Sequence, residues 1–391
     1  MMLGLLLAKA GIHVTVLEKH SDFFRDFRGD TIHPSTLDLI DQLGLRERFD
    51  AIPHTFFRTL ELSLNRNRIR PVDFGHLHGP NREVVLMPQW DFLTLLAEEA
   101  RTHTSFHLVM DAEATRLRRT GGRVTGVYVT TPNGELEIEA ALTVAADGRD
   151  SRIRKDSGLA VQDFGIAIDV LWFRLPKPLV EPPSTLGYLS QDTMIVTIPR
   201  SDYYQTAMLI PKNGFEKVRS EGLPQFRRSV VGAAEFLAPV IDSLQEWDQV
   251  KLLSVQVNRL KRWHLPGFLC IGDAAHAMSP AFGVGINYAL QDAVATANVI
   301  AAPLAAGTLR EHHLARVQRR RAPAVRLMQP IQLMLHRVIA RPGGGAMIPN
   351  PLPRRVRVAL VLLLPLVRRV AARVVGRGFV PERIRAELLK N

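Results

Sequence analysis

The sequence predicts an α/β chain: a Rossmann-like nucleotide-binding domain, an antiparallel β-sheet domain inserted into it, and a helical C-terminal tail. Three observations predict it. Leu3 to Ala10 is helix-like, Gly11 suits its C-terminal cap, and His13-Val-Thr-Val-Leu17 is a short β-branched strand ending at Glu18. Helix, glycine turn, strand and acidic residue make the second half of a parallel βαβ unit. Between Phe268 and Asp292 an apolar run stops at Gly272-Asp273, a loop with Pro280, Gly283 and Gly285 follows, and Ile286, Ala289, Leu290, Ala293, Val294 and Ala297 continue with helical spacing. From Val161 to about Val255, apolar and polar residues alternate, as in Thr193 to Ile198 and Gln205 to Ile210, which predicts a mostly antiparallel sheet with one wet or ligand-facing side.

The remaining elements follow in order. Ser35 is a candidate N-cap for a helix from Thr36 to Leu43, whose Leu37, Ile40 and Leu43 share a face. Residues 57 to 85 read as strands and turns. Pro88-Gln-Trp-Asp91 leads into a helix from Phe92 to Arg101. Val124 to Val129 and Leu136 to Ala141 form a hairpin turning at Asn133-Gly134, and Leu142 to Ala146 is a buried strand ending at Asp147-Gly148. A helical insert from Gly222 to Leu244 interrupts the antiparallel region. The cofactor domain is expected over residues 1–56, 86–160 and 253–309, the β-sheet substrate domain over 57–85 and 161–252, and a basic helical region over 310–391.

Composition narrows the function classes. The 391 residues are 46% hydrophobic and 23% charged, which suits two or three globular domains. Cys270, the single cysteine, excludes an internal disulfide, fits a reducing, cytoplasmic compartment, and reads as a small buried hydrophobe. No secretory signal or metal-ligand spacing is evident. The net charge of +12 is uneven: from Arg310 to Asn391, seventeen Arg and one Lys face three Glu, a net +15, which leaves residues 1–309 at −3. Without a zinc-finger or helix-turn-helix signature and with few aromatics, that tail does not predict nucleic-acid binding.

Chemistry concentrates at three places. A strand-end carboxylate such as Glu18 or Asp273 can accept hydrogen bonds from ribose-type hydroxyls, and glycines before a helix let backbone N–H groups approach a ligand. The run Gly272-Asp273-Ala274-Ala275-His276, Pro280, Gly283, Gly285, Asn287 and Asp292 resembles the Gly-Asp motif of FAD-dependent monooxygenases of the aromatic-hydroxylase (p-hydroxybenzoate hydroxylase-like) family. Asp147-Gly148, with Ser151, Arg154 and Gly158, is similar to that family's Asp-Gly motif. Arg28-Gly29 and Gln89 match weaker cofactor positions. The family's first strand and G-x-G-x-x-G loop would precede Glu18 by about 20 residues, whereas Met1 lies seventeen positions before it.

The resemblance implies an FAD-binding Rossmann-like (three-layer) domain. It also implies contacts to FAD from Glu18, Arg28, Gln89, Asp147, Gly272, Asp273, Gly283 and the backbone of Gly285, Ile286 and Asn287, with Pro280 beside the flavin ring and Ser151 and Arg154 near the pyrophosphate. NADH or NADPH would be the transient electron donor, and a C4a-(hydro)peroxyflavin formed with O2 would oxygenate an aromatic or lipophilic small molecule lying against the antiparallel sheet. Trp172, Met194, Tyr203 and Tyr204 are candidates to line that space. No general base is assigned. A same-fold reductase or desaturase, a halogenase, or a truncated relative with impaired FAD binding are the alternative readings; the halogenase reading lacks a Trp-x-Trp pair. The tail carries an uncharged run, Val358 to Val367, between arginines. It is too short to span a bilayer, so either a peripheral membrane contact or a helix pair packed on the cofactor domain with solvated arginines is expected.

Overall fold

The computed structural model describes every residue except 25–30, 65–66, 180–185, 191–192, 201, 340–353 and 390–391. The candidate Arg28 lies outside the described residues. Helix α1, Met2–Lys9, leads into the strand Val14–Leu17, which pairs in parallel with Phe106–Val109. Gly4 explains how closely helix and strand pack: a Cβ there would sit 2.8 Å from Val16 Cγ2 and 2.9 Å from the Phe106 ring. A side chain at position 4 would force α1 off its sheet.

Helix α2, Pro34–Gln42, begins two residues earlier than Ser35 capping requires. His33 is its N-cap and Pro34 takes the first position, where a missing N–H costs nothing; Ser35 is buried inside the first turn. Helix α3 is Arg46–Asp50, and α4 is Gln89–Arg101. The strand Thr143–Ala145 runs parallel to Phe268–Cys270. Three antiparallel strands, Glu113–Thr120, Arg123–Thr131 and Gly134–Glu139, pack beside it. Helix α5, Arg152–Ser157, follows. Cys270 is fully buried in its strand, and that burial pushes its thiol well up from the ordinary value.

A second sheet has seven strands in the spatial order Lys251–Leu253, Ile168–Pro176, Tyr203–Pro211, Met194–Pro199, Gly187–Leu189, Thr59–Leu64 and Asn67–Asp73. Between its strands the chain forms α6, Phe215–Ser220, and α7, Leu223–Ala233, then three short 3₁₀ turns rather than one long helical insert. Phe226 and Val230 of α7 pack with Leu171, Phe173, Tyr204 and Met208 in a core separate from that of the first body.

Helix α8, Gly285–Ala305, is buried along most of its length between α1 and helix α9, Glu311–Ile339. Helix α10, Arg354–Gly376, packs along the edge strand Asn67–Asp73. The tail arginines are not all solvated. Arg321 is 1% exposed and bonds Asp292, and Arg320 forms a two-pronged ion pair with buried Glu382 at 2.7 and 2.6 Å.

Candidate functional site

The segment from Gly272 to Asn287 bends around the N-terminus of α8. Gly272 takes φ +57 and donates its N–H to Asp292 Oδ2 at 3.0 Å. The same oxygen bonds His276 Nε2 at 2.6 Å, and Oδ1 accepts from Arg321 Nε at 2.9 Å. Burial alone would raise the Asp292 pKa, but His276 and then Arg321 outweigh it and hold the carboxyl below its usual range. The His276 ring rests on Trp263, centroids 5.0 Å apart. Conspicuous as this Asp–His contact is, both groups are closed off from solvent, so it braces the turn.

Asp273, the next residue, is half-buried and faces the Arg149 guanidinium at 3.6 Å. Arg154 ties the two motifs together. Buried, it donates to the carbonyls of Arg149 at 2.5 Å, Ala274 at 3.2 Å and Asp273 at 3.5 Å. Ser151 caps α5 by accepting from Arg154 N, and Asp147 Oδ2 accepts from Arg152 N at 3.1 Å. Ser151 is thus engaged as a helix cap, and Arg154 joins the two loops through its terminal nitrogens while its Nε is buried without a partner. Arg149 was not anticipated; its place one residue after the Asp-Gly pair was the available signal. Glu18 follows its strand, takes the His20 N–H on its side chain, and acts electrostatically on the amino group of Met1, so it stands at the α1 N-terminal end. Gln89 is half-buried in the first turn of α4, beside the Phe24–Trp90 ring contact.

The loop itself presents open backbone. Pro280 is exposed. Gly283, at φ +62, has no room for a side chain, since a Cβ would lie 2.1 Å from Thr31 Oγ1. Gly285 is the reverse: a Cβ there would meet nothing within 4 Å. Val284 gives α8 no side-chain cap. Among the described residues the first amide of this helix bonded to the chain is that of Tyr288, onto Val284 O. The N–H groups of Gly285, Ile286 and Asn287 have no acceptor there. The Asn287 side chain is committed elsewhere, accepting from His33 N and Thr36 Oγ1 and donating toward Thr31 O and Gly283 O. Three unspent amides at the positive end of a 21-residue helix, with clear space over Gly285, fit an electron-rich carbonyl edge; the half-buried Asp273 fits hydroxyl donors.

Alternation separates the sheet residues by face. Cross-strand partners put Val170, Leu209 and Met194 in one row, Trp172, Ala207 and Val196 in the next, and Arg174, Gln205 and Ile198 in a third. Trp172, Val196, Leu209 and Leu253 are half-buried around Val170, Ala207 and Val255. Tyr203 shares that face, its ring 5.0 Å from the Arg174 guanidinium. Tyr204 points the other way, into the core under α7, and is corrected as a lining residue. The open face runs toward the loop: three residues beyond Val255, Asn258 donates its N–H to Ala277 O at 3.2 Å.

A family model described as an FAD binding domain matches residues 1–330, and the chain belongs to that family. Along its full length it is 30% identical to 6-methylpretetramide 4-monooxygenase of Streptomyces rimosus, covering 92% of that protein. A 12-dehydrotetracycline 5-monooxygenase/anhydrotetracycline 6-monooxygenase of Streptomyces rimosus subsp. rimosus is 27% identical over 75% of this chain and 59% of its own length. Among solved structures, the anhydrotetracycline hydroxylase from Streptomyces rimosus superposes with TM-score 0.74 at 22% identity, over 96% of this chain and 73% of the other. A probable FAD-dependent monooxygenase from Pseudomonas aeruginosa does so with TM-score 0.72 at 19% identity, over 95% and 94%. The structural likenesses establish the fold, and the family and full-length relative make the chain an FAD-dependent oxidoreductase of the monooxygenase type.

Proposed function

We propose that the chain is an NAD(P)H- and O2-dependent hydroxylase that inserts one oxygen atom into a planar, polycyclic phenolic substrate. The observation that carries this reading is the uncapped α8 N-terminus, open above Gly285. Bound FAD, reduced by the nicotinamide donor, would supply the electrons that activate O2. The protein's own groups do the rest. The Asp273 carboxylate, steadied by Arg149, accepts from cofactor hydroxyls. Glu18, Gln89 and Asp147 shape the remaining cofactor contacts, and the buried turn at Gly272, its N–H held by Asp292, sets where Asp273 stands. The amides of Gly285, Ile286 and Asn287 would hold an electron-rich edge of the bound cofactor and favour negative charge there, and Pro280 would lie beside its ring. The face of Trp172, Val196, Leu209 and Leu253 excludes water and orients the substrate, with Arg174 and Gln205 in the adjoining row to meet phenolic oxygens. The relative named for 6-methylpretetramide supports a substrate of this class.

The test is direct. The purified chain should be yellow, consume NADH or NADPH with O2, and place label from ¹⁸O2 in a polycyclic phenol. Flavin reduction without label incorporation would support the reductase reading instead. Replacing Trp172 by Ala should raise KM by up to about tenfold, from losing a planar aromatic contact of roughly 0.5–1.5 kcal/mol, while the melting temperature changes little. Tyr204→Ala should do the reverse.

A peripheral contact with an anionic lipid surface is a second reading with its own observation. Helix α10 exposes Leu363, Leu366, Val367 and Val370 at helical spacing, next to Arg369 and Arg373. A second copy of so cationic a face would be repelled, whereas anionic headgroups would be attracted. Among the described residues, no helix is long and apolar enough to cross a membrane. Flotation with phosphatidylglycerol vesicles at low salt tests the idea; protein that stays at the bottom refutes it.

A further inference from the structure

Helix α9 reads in sequence as part of a basic tail, yet its inner face is a ladder of polar groups. Gln318, Arg321, Gln329, Gln332 and His336 recur at helical spacing, and each bonds the chain around the cofactor motif. Gln318 accepts from Trp263 N at 3.0 Å, and Arg321 meets Asp292. Gln329 donates to Asn258 O at 2.9 Å and Ala277 O at 3.2 Å. The last two grip the residues on either side of Pro280. Gln332 accepts from Ser279 N at 3.2 Å and donates to Ser279 O and Ala281 O, both at 3.1 Å. His336 Nε2 bonds Ser279 Oγ at 2.7 Å, and that oxygen also accepts from Ala281 N at 3.0 Å. Gln332 is fully buried and His336 nearly so, which makes these bonds costly to lose.

The far end of the same loop is held by a different part of the chain, where Thr31 Oγ1 donates to Gly283 O at 2.7 Å. Between the two grips lies Phe282, at φ 66 and ψ −2. A phenylalanine has no local reason to adopt the left-handed region and stays there only when its surroundings over-determine it. The turn therefore stores strain between two clamps, and its exposed product is the placement of Pro280.

We propose that α9 is a positioning element for the flavin ring. Gln332, seconded by His336, fixes the peptides flanking Pro280 and keeps the Phe282 turn left-handed. This rests on the FAD-binding reading of the loop. Neither residue touches the cofactor; both act through Ser279, Pro280 and Ala281.

The test compares Gln332→Leu, which keeps most of the side-chain volume, with Gln329→Leu, which removes equally buried bonds one step farther from Pro280. Apo-protein is titrated with FAD by fluorescence, and the visible spectrum of the bound flavin is recorded. Gln332→Leu should weaken FAD binding at least tenfold and shift or blur the flavin bands. Gln329→Leu should lower the melting temperature while leaving the FAD dissociation constant within about twofold. Phe282→Gly, which removes the strain, should restore part of the lost affinity when combined with Gln332→Leu, a coupling that general destabilisation would not produce. Should Gln332→Leu fail to fold, His336→Gln carries the same comparison with a single bond changed. A wild-type chain that takes up no FAD overturns the proposed function and this inference with it. A wild type that binds FAD, with the loop variants matching it in affinity and spectrum or with additive effects in the double variant, overturns this inference alone.

Discussion

The segment from Gly272 to Asp292 has a back and a front, and they are built on opposite terms. At the back, Gly272, His276, Asp292 and Arg321 are buried, and the Asp292 carboxylate is shared among three donors. At the front, Asp273 and Gly285 are half-buried, Pro280 is exposed, and three helix amides are unspent. The groups held most tightly by the protein are those least able to reach a ligand. The groups left under-bonded are those whose bonds a ligand would complete. Stability and binding are thus divided between two sides of one short stretch of chain.

The sharpest way to break this division is at the back. Asp292→Asn removes the buried carboxylate that Gly272, His276 and Arg321 share and leaves Arg321 only the more distant Glu382 carboxylate at 3.8 Å. Breaking such a buried pair costs up to about 3–5 kcal/mol. Chemical denaturation should show a loss of that size. A loss below 1 kcal/mol would mean that the back is not the brace described here.

Two glycines two residues apart set the second comparison. Gly283→Ala puts a Cβ onto Thr31 and forces an L-residue to φ +62, so a loss of roughly 2 kcal/mol or more is expected. Gly285→Ala meets no protein atom, and alanine at a helix start is tolerated, so folding stability should move by less than about 1 kcal/mol. The same methyl enters the space over the open amides, so FAD affinity should fall. Equal affinity in wild type and Gly285→Ala would place the cofactor elsewhere.

Acid titration separates two buried histidines from Asp292 by pH range. His33 is fully buried against the carbonyl of Val375, and burial holds it down at about 4; burial likewise brings His336 to about 4. In the unfolded chain each returns to an ordinary histidine value of about 6.5. Between those values the unfolded state takes up protons that the folded state refuses, so stability is highest above about pH 6.5 and falls as pH drops toward 4. Asp292 is shifted in the same direction, though burial alone would raise it and His276 and Arg321 hold it down, and its contribution is lost only below the ordinary carboxylate range. Melting temperatures from pH 7.5 to 4.5 should decline, and His336→Gln should flatten part of that slope.

These contrasts also mark how far the sequence could be read. The front was legible because it is local: strand, Gly-Asp turn, glycine loop and helix follow one another, and Asp273, Pro280, Gly283 and Gly285 fall within one short stretch of chain. The faces of the sheet were only half legible. Tyr203 and Tyr204 are adjacent, and period-two alternation sends them to opposite sides, but which side is open depends on where α7 packs. The clamp on Pro280 was not legible at all. Gln332 and His336 lie more than fifty residues from Ser279 in a stretch dominated by arginines, and a polar stripe on such a helix reads as a solvated face until its partner is seen.

The smallest predicted effect tests that last distinction. Asp273→Asn keeps shape and hydrogen-bonding capacity but removes the charge that faces Arg149 at 3.6 Å, a contact partly open to solvent. Such an exposed pair contributes at most about 1 kcal/mol to folding, so denaturation of the apo-protein should hardly register the change. A carboxylate accepting from cofactor hydroxyls gives stronger bonds than an amide does, so FAD affinity should still fall by about tenfold. A variant that unfolds more easily but binds FAD as before would show that Asp273 belongs to the brace, and the boundary between back and front would then lie beyond the Gly-Asp turn.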